Sequence, residues 1–417
     1  MDDDHLTPVP HGSLLVHAGM PKTGTTALQR VAASRRDLLA RHGVRYPGTA
    51  TNHRRALFAY SARPVGWDGP GSSTPKVARW LELRDEVRAT REQRVWLSNE
   101  NLSDEPEENL RALLAELDRD TTVVLTLRAL PAQLASAWQQ YLKSGVWISF
   151  ETWLRRTIGD EPNPTTTPSF VRRLAVGDVV DTWVRLLGRD RVVVVVLDPR
   201  DRSLVPEAFE RMLDLPAQAL ATDELAGHDA NRSLTAAEAE LLRRVNRVVR
   251  DRGDVRWRDY ERFVRDGAVE AMLARGAPAR EDQRILPPTW AVERAVALAE
   301  EQADRVRAAG VRVVGDLAHL SVPVRSVDTV RAPRTVPVDA AAAALLAMLS
   351  TGLGRGRDFS AAAPEPSPAA PRARRPTLEE QPTAAVVREL TRRLYRRLRC
   401  PGRAQPARGS VSRKRAP

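Results

Sequence analysis

The sequence contains a single cysteine, Cys400, which excludes disulfides within the chain and a cysteine-based metal site. It also lacks any run of about 20 apolar residues long enough to cross a membrane. The first residues, MDDDHLTPVPHG, are acidic, whereas a signal peptide begins with a basic and then an apolar segment. With 417 residues and 42% apolar content, the chain can bury a sizeable core. We therefore expect a soluble protein with a cytoplasmic location.

The formal net charge of +12 would favour nucleic acid as a partner if it were spread over the whole chain. Residues 364–417 contain fourteen Arg or Lys residues and four Glu residues, which accounts for +10 of that total. The rest of the chain is close to neutral, and its Arg residues are interspersed with Asp and Glu as on solvated helix faces. The charge therefore predicts no specific nucleic-acid partner.

Short apolar segments rich in β-branched residues alternate with longer segments of helical periodicity. The apolar segments are residues 14–16, 95–97, 123–127 and 192–197, with 311–317 as a candidate last strand. Their lack of polar alternation suits strands that are covered on both faces. Helices are predicted over residues 27–42, 75–92, 107–117, 131–143, 206–213, 235–251 and 290–309. This alternation predicts an α/β fold with three α/β/α layers and a central, mainly parallel sheet.

Composition divides the chain into three parts. Residues 1–12 are expected to be disordered and residues 13–322 to form the folded domain, while residues 323–417 are rich in Ala, Pro and Arg and are expected to be a largely disordered basic tail. Within that tail, residues 384–399 place apolar side chains on one helical face and Arg on the other. Such an amphipathic basic helix is compatible with peripheral contact on an anionic membrane, and equally with a solvated tail.

The segment LLVHAGMPKTGTTALQ, residues 14–29, leads from an apolar strand through a Gly, Lys and Thr cluster into a helix. This is the order of a phosphate loop, where unpaired N–H groups and the helix dipole favour an anion. A nucleotide triphosphatase loop places Lys directly after the second glycine. Here Thr25 follows Gly24, and the lysine is Lys22. The loop is therefore predicted to hold one terminal phosphoryl group and its substituent, with Thr25 and Thr26 supplying hydroxyls.

A second anion-binding element follows a later strand. Arg128 comes directly after the strand predicted at residues 123–127, and Ser136 lies eight positions further on, in the next helix. The carboxyl ends of parallel strands meet at one sheet edge, so Arg128 is expected on the same edge as the loop. Its guanidinium matches phosphate oxygens, and Ser136 adds a hydroxyl.

These two motifs together resemble the sulfotransferases that use 3'-phosphoadenylyl sulfate, whose fold is similar to that of P-loop NTPases. PKTGTTAL is especially similar to the loop of the carbohydrate sulfotransferases, and the resemblance covers roughly residues 12–320. It implies that Lys22, Thr23, Gly24, Thr25 and Thr26 hold the phosphosulfate. It further implies that Arg128 and Ser136 hold the 3'-phosphate, that the donor needs no metal, and that Lys22 neutralises the leaving oxygen. Ala27 stands where cytosolic members have a Trp, so adenine stacking must come from elsewhere.

An acceptor hydroxyl also needs a general base. Glu100 follows the second predicted strand and is expected on the loop's edge of the sheet, where carbohydrate and bacterial sulfotransferases similarly use a Glu. His53, at the start of a predicted helix, is an alternative base or substrate ligand. His17 lies on the first strand, where a buried, hydrogen-bonded histidine is the commoner outcome.

Two other classes of function remain open at this point. A kinase or NTPase needs a lysine after Gly24 and an acidic residue after a strand to hold magnesium, whereas the strand at 123–127 runs into Arg128. A protein that binds anionic surfaces through its basic tail needs no catalytic site. For a sulfotransferase, the loop favours a hydroxyl or amine on a carbohydrate, a glycolipid or another small molecule as acceptor.

Overall fold

The computed structural model of the chain describes residues 6–21, 23–67, 72–160, 162–163, 165–221, 232–274 and 284–353. Within these residues, six strands form one sheet in the spatial order β2-β3-β1-β4-β5-β6, and every neighbouring pair is parallel. The strands are β1 Leu14–His17, β2 Val44–Arg45, β3 Arg94–Ser98, β4 Thr121–Leu127, β5 Val192–Val196 and β6 Arg312–Val314.

Helices occupy most of the remaining described residues. The α-helices are α1 Thr25–Ser34, α2 Arg36–Arg41, α3 Arg54–Tyr60, α4 Ala78–Ala89, α5 Glu107–Leu117, α6 Leu130–Leu142, α7 Phe150–Ile158, α8 Pro168–Leu174, α9 Val176–Leu187, α10 Leu204–Leu213, α11 Ala236–Arg252, α12 Trp257–Tyr260, α13 Glu270–Leu273, α14 Thr289–Ala308 and α15 Val338–Gly352. Short 3-10 helices span Glu100–Asp104, Arg189–Arg191 and Leu317–Ser321, and a π-helical segment, Glu261–Val269, joins α12 to α13.

The central strands are buried on both faces, because successive side chains of a strand point to opposite sides. Leu14 and Val16 pack into a core that includes Trp183 of α9 and Val306 of α14. Leu15 packs instead with residues of α1, α2 and α10. The sheet is therefore the middle of three α/β/α layers, which confirms the predicted α/β fold class with its parallel central sheet.

A second apolar core lies among helices that follow β4. It includes Trp138 of α6, Trp153 of α7, Leu242 of α11 and Tyr260 of α12. The indole N–H of Trp138 donates to the carbonyl of Ile148 at 3.2 Å, so this tryptophan is a core residue. The part of the chain with few strand signals thus forms a helical region built on α6.

The sequence located most of these elements but divided some of them wrongly. The helix predicted over residues 27–42 is two helices, because the backbone turns at Arg35, where φ is −108° and ψ is 25°. The two-residue strand β2 had no sequence pattern of its own, and it forms by pairing with the start of β3.

The ends of the folded part also differ from expectation. Residues 6–12 were expected to be disordered, but Val9 is buried, its N–H donates to Met212, and its carbonyl accepts from Arg94. Residues 338–352 form α15, which buries Ala340, Ala344 and Ala347 although the composition there predicted a disordered tail. The predicted helix at 384–399, together with Cys400, lies outside the described residues. Among the helices that are described, none combines the length and hydropathy needed to cross a membrane.

Candidate functional site

At the carboxyl edge of the sheet, the strand order separates the loop that follows β1 from the segment that follows β4. After β1 the chain passes to β2 and β3 on one side, and β4 then lies on the other side of β1. In open parallel sheets, ligands bind where the strand order reverses in this way. The loop after β1 and the residues after β4 therefore border the expected ligand crevice.

The start of α1 is open to an anion. Gly24 precedes the helix with φ 79° and ψ 0°, a left-handed conformation that glycine adopts without steric cost. No side chain caps this end, and its first turn contains no acidic residue. The first N–H groups of a helix have no intrahelical partner, so this end offers donors and a positive dipole. Thr26 is exposed at the same place.

The other threonines of the loop have different surroundings. Thr23 is buried, and its hydroxyl donates to the carbonyl of Met20 at 2.6 Å, so it stabilises the loop from below. Thr25 is also mostly buried and lies 3.0 Å from Thr23, oxygen to oxygen. Lys22, the predicted catalytic and phosphosulfate-binding lysine, lies outside the described residues.

Gly19 is required for close packing beneath the loop. A Cβ atom at this position would lie 2.0 Å from the Thr126 hydroxyl oxygen and 2.9 Å from Nε2 of His17. Real Cβ atoms do not approach other atoms so closely, so any larger residue would displace the loop. The first glycine of the motif therefore serves packing, whereas Gly24 serves the turn into α1.

Arg128 follows β4 as predicted, at the edge that carries the loop. It is half-buried, and burial lowers the pKa of its guanidinium from the ordinary value. Ser136 lies on α6, half-buried, with its hydroxyl donating to the carbonyl of Gln133 at 2.9 Å. The side chain of Gln133 donates in turn to the carbonyl of Arg128 at 2.7 Å. Gln133 thus ties the start of α6 to the backbone of Arg128.

A cavity of about 90 Å³ lies between the loop and Arg128. Its wall includes Met20 and Pro21 of the loop and Arg128. Most of the remaining wall is apolar, and three amide side chains interrupt it, those of Gln133, Gln140 and Gln302. The cavity therefore touches the beginning of the loop and Arg128, whereas Ser136 and the start of α1 do not line it.

Glu100 begins the 3-10 helix that follows β3, on the sheet edge that carries the loop. Its Oε2 accepts a hydrogen bond from Nε2 of Gln29 at 3.4 Å, and Gln29 lies on α1, one turn after Thr25. Glu100 is half-buried. The structure therefore brings the predicted base close to the helix that begins at the phosphate loop.

The turn that carries Glu100 is held by an ion pair that the sequence did not indicate. Arg173 of α8 binds both carboxylate oxygens of Asp104 and donates to Oδ1 of Asn101 at 3.0 Å. The carboxylate of Asp104 is fully buried, so this bidentate contact satisfies a charge that would otherwise be costly to bury. Arg173 also lines the cavity. No spacing rule links it to Asp104, which is 69 positions away.

His53 has both ring nitrogens engaged by the backbone. The Ser98 N–H donates to Nδ1 at 3.0 Å, and Nε2 donates to the carbonyl of Pro47 at 3.0 Å. Burial lowers the pKa of His53 to about 4, with smaller opposing effects from the backbone carbonyls of Pro47 and Ser98. Neither nitrogen is left to take a proton from a substrate. His53 therefore joins β3 to the segment before α3, and Glu100 remains the candidate base.

His17 is buried on β1, as predicted. Nδ1 lies 3.0 Å from the Ser98 hydroxyl, and Nε2 lies 3.1 Å from that of Thr126. Burial lowers the pKa of His17 to about 3. The ring of Phe209 packs against it edge-on at 4.9 Å, centroid to centroid. His17 is thus a neutral residue of the sheet beneath the loop.

Arg54 is a charged residue near Glu100 that the sequence analysis missed. Burial lowers its pKa, Arg265 lowers it further, and the Glu100 carboxylate raises it. Arg54 therefore lies within electrostatic reach of Glu100. Its position directly after His53 was the only signal in the sequence.

Among the described residues, no group of three or more His, Cys, Asp or Glu side chains is arranged to hold a metal ion.

The chain matches no family model and no curated protein. Among solved structures it is similar to the crystal structure of a sulfotransferase from Alicyclobacillus acidocaldarius, with 19% sequence identity and a TM-score of 0.34. The match covers 52% of this chain and 83% of that chain. A likeness of this size carries no conclusion about function, which depends on the groups described above.

Proposed function

We propose that the protein is a sulfotransferase that moves the sulfonyl group of 3'-phosphoadenylyl sulfate to a hydroxyl or amine of a carbohydrate, a glycolipid or another small molecule. In the proposed step, the acceptor oxygen or nitrogen forms a bond to sulfur while the bond from sulfur to the bridging phosphate oxygen breaks. The acceptor proton passes to a base, and adenosine 3',5'-bisphosphate leaves.

The observation that carries this proposal is that the uncapped start of α1 and Arg128 lie at one edge of the sheet, after the neighbouring strands β1 and β4. A donor with phosphate groups at both its 5' and 3' positions needs two separate anion sites. The uncapped start of α1 supplies one, and Arg128, directly after the neighbouring strand β4, supplies a guanidinium for the other. A nucleoside triphosphate needs its charge concentrated at one end, which fits this separation less well.

The loop residues have different roles at the phosphosulfate end of the donor. The N–H groups at the start of α1 and the hydroxyls of Thr25 and Thr26 bind its oxygens, and Gly24 lets the backbone approach them. Lys22, in the turn before Gly24, neutralises charge on the bridging oxygen as the bisphosphate departs. Thr23 supports the loop through its bond to Met20 and does not face the donor.

Glu100 is the base in this proposal. Its place after β3 puts it beside α1, and its contact with Gln29 links it to the helix that binds the donor. Arg173 keeps its turn in place through Asp104, and Arg54 adds positive charge near the acceptor. Sulfonyl transfer mainly requires positioning and charge stabilisation, which these fixed groups supply.

The donor is tested by calorimetry with adenosine 3',5'-bisphosphate and with ATP. We expect the wild-type chain to bind the bisphosphate in preference to ATP, and Arg128→Ala to weaken that binding. Arg191→Ala is the matched control, because Arg191 precedes β5 at the opposite edge of the sheet and pairs there with Asp120. Preferential, magnesium-dependent binding of ATP would instead identify a kinase or NTPase.

The base is tested once an acceptor is found by screening sugars and phenols with labelled donor. Glu100→Gln should lower kcat by about 10²–10⁴, the usual contribution of a general base, while affinity for the bisphosphate persists. Glu108→Gln, an exposed change on α5, is the control. Unchanged kcat in the Glu100 variant would remove Glu100 from the mechanism and leave the donor assignment intact.

A further inference from the structure

A row of uncharged polar side chains lies under the phosphate loop and crosses three neighbouring strands. Ser98 ends β3, His17 ends β1, and Thr126 lies near the end of β4. His17 bonds to both neighbours through its two ring nitrogens. Gln29 of α1 extends the row at one end by donating to Ser98 at 2.9 Å, and Thr23 extends it at the other end. We call these five residues the buried polar chain.

The hydrogen bonds of the buried polar chain can have only one order of donors and acceptors. Thr23 uses its single proton on the carbonyl of Met20, at 2.6 Å. The Thr126 hydroxyl lies 2.8 Å from Thr23, so it must donate, because two oxygens without a proton between them would repel at that distance. Thr126 must then accept from His17. His17 therefore carries its proton on Nε2.

The same reasoning applies to the other half of the chain. Because Nδ1 of His17 has no proton, the Ser98 hydroxyl donates to it, and Ser98 accepts in turn from Gln29. The second amide proton of Gln29 points to Glu100. His17, with one donor and one acceptor in fixed places, thus connects the turn that carries Glu100 to the floor of the loop.

The buried polar chain also determines whether the hydroxyl of Thr25 acts as a donor or an acceptor. Thr23 has already donated its proton, so in the contact of 3.0 Å between the two hydroxyls only Thr25 can donate. Thr23 already accepts from Thr126 and does not require that second proton. A bound anion is the stronger acceptor and can draw it outward. Gly19 preserves this arrangement, because a Cβ there would collide with Thr126.

We propose that His17 is a positioning residue, whose neutral ring orders the buried polar chain so that the hydroxyl of Thr25 donates to an anion in the loop. The inference concerns the same site and rests on the proposed function for the identity of that anion. His17 therefore affects anion binding as well as core packing, although its ring does not contact the ligand.

The test uses two kinds of change in the full-length chain. His17→Leu and Thr126→Val interrupt the buried polar chain, whereas His17→Gln keeps one donor and one acceptor. Thr157→Val is the matched control, since Thr157 is an equally buried threonine whose hydroxyl bonds within α7. Thermal unfolding establishes that each variant is folded, and Thr126→Val, which is nearly isosteric, decides the case if His17→Leu does not fold.

Calorimetry is carried out with adenosine 3',5'-bisphosphate and, separately, with inorganic pyrophosphate. We expect His17→Leu and Thr126→Val to bind either anion about five- to tenfold more weakly, the size of one lost hydrogen bond. His17→Gln should stay within about threefold of wild type, and Thr157→Val should match it. Wild-type affinity in Thr126→Val would overturn the inference.

The two probes separate this inference from the proposed function. Binding of pyrophosphate but not of the bisphosphate by the wild-type chain would overturn the donor assignment, and the pyrophosphate series would still decide the role of His17. Failure of the wild-type chain to bind either anion would overturn both.

Discussion

The starts of α1 and α11 solve the same physical problem in opposite ways. Every helix begins with N–H groups that lack intrahelical partners. At α11 the hydroxyl of Thr235 accepts from the N–H of Glu238 at 3.2 Å, and the Glu238 carboxylate accepts from the N–H of Thr235 at 2.8 Å. Arg232 then binds that carboxylate through two nitrogens. At α1 the cap is Gly24, without a side chain, and no acid follows in the first turn.

This difference separates a helix start that has a side-chain cap from one that is open to the proposed ligand. At the start of α11 the N–H groups of Thr235 and Glu238 have side-chain acceptors within the same turn, so an anion would find fewer free donors there. The first turn of α1 stays open although the chain elsewhere uses a complete cap. Beneath it lies the buried polar chain, which carries no charge of its own and so does not neutralise the dipole from below.

The largest expected effect comes from removing Lys22, the lysine proposed to neutralise the leaving oxygen. Lys22→Ala should lower kcat by about 10²–10³, as loss of one donor to a developing oxyanion does. Lys76→Ala, which changes an exposed lysine before α4, should leave kcat unchanged. Steady-state kinetics with the labelled donor measure both. A Lys22 variant as active as wild type would refute the role assigned to the displaced lysine.

The second effect is on stability and follows from the neutral histidine beneath α1. Burial lowers the pKa of His17 to about 3, so between about pH 6.5 and pH 3 the unfolded chain binds a proton that the native chain does not. Stability from this group is therefore complete above about pH 6.5 and falls with pH by about 1.4 kcal/mol per unit. His53, with its pKa lowered to about 4, adds to the same trend.

Urea unfolding at pH 7, 6 and 5 measures this slope. His17→Gln cannot take up the proton, so its stability should fall less steeply than that of wild type, with His53 still contributing. Parallel slopes for the two proteins would show that His17 takes up its proton equally in the native and unfolded states and would contradict the lowered pKa.

The third prediction places an acidic residue in the first turn of α1, at the position where α11 has Glu238. Ala27 is the third residue of α1, the position that Glu238 occupies in α11. Ala27→Glu should weaken bisphosphate binding about tenfold, because its carboxylate competes with the anion for the same N–H groups and dipole. Ala27→Gln has nearly the same shape without the charge and should bind about as wild type does. Equal weakening in both variants would point to crowding instead of charge.

How far the sequence predicts the molecule depends on the kind of contact involved. The core strands were located because buried β-branched segments are a local signal, and Glu100 and Arg128 were assigned to one edge because strand ends meet there. The break at Arg35 and the strand β2 depend on packing and pairing with distant residues, so no local pattern revealed them.

The roles of individual side chains within the site were harder to foresee. Thr23 and Thr25 look equivalent in the sequence, yet Thr23 bonds to Thr126, which is 103 positions away. His53 was a candidate base until its two ring nitrogens were found engaged by the backbone. Arg173 and Asp104 had no motif at all. Each role depends on a contact between residues that are distant in sequence.

The smallest expected effect comes from removing the side-chain cap at the start of α11. Thr235→Ala removes the hydroxyl that caps α11 and should lower the free energy of unfolding by about 1 kcal/mol. Affinity for the bisphosphate should not change, because α11 packs in the helical core around α6 and its first turn is not part of the proposed donor site. Urea unfolding and calorimetry on the same variant measure both quantities. If Thr235→Ala weakened bisphosphate binding as much as Ala27→Glu does, the contrast between a structural and a ligand-binding helix start would not hold, since both ends would then act through overall stability.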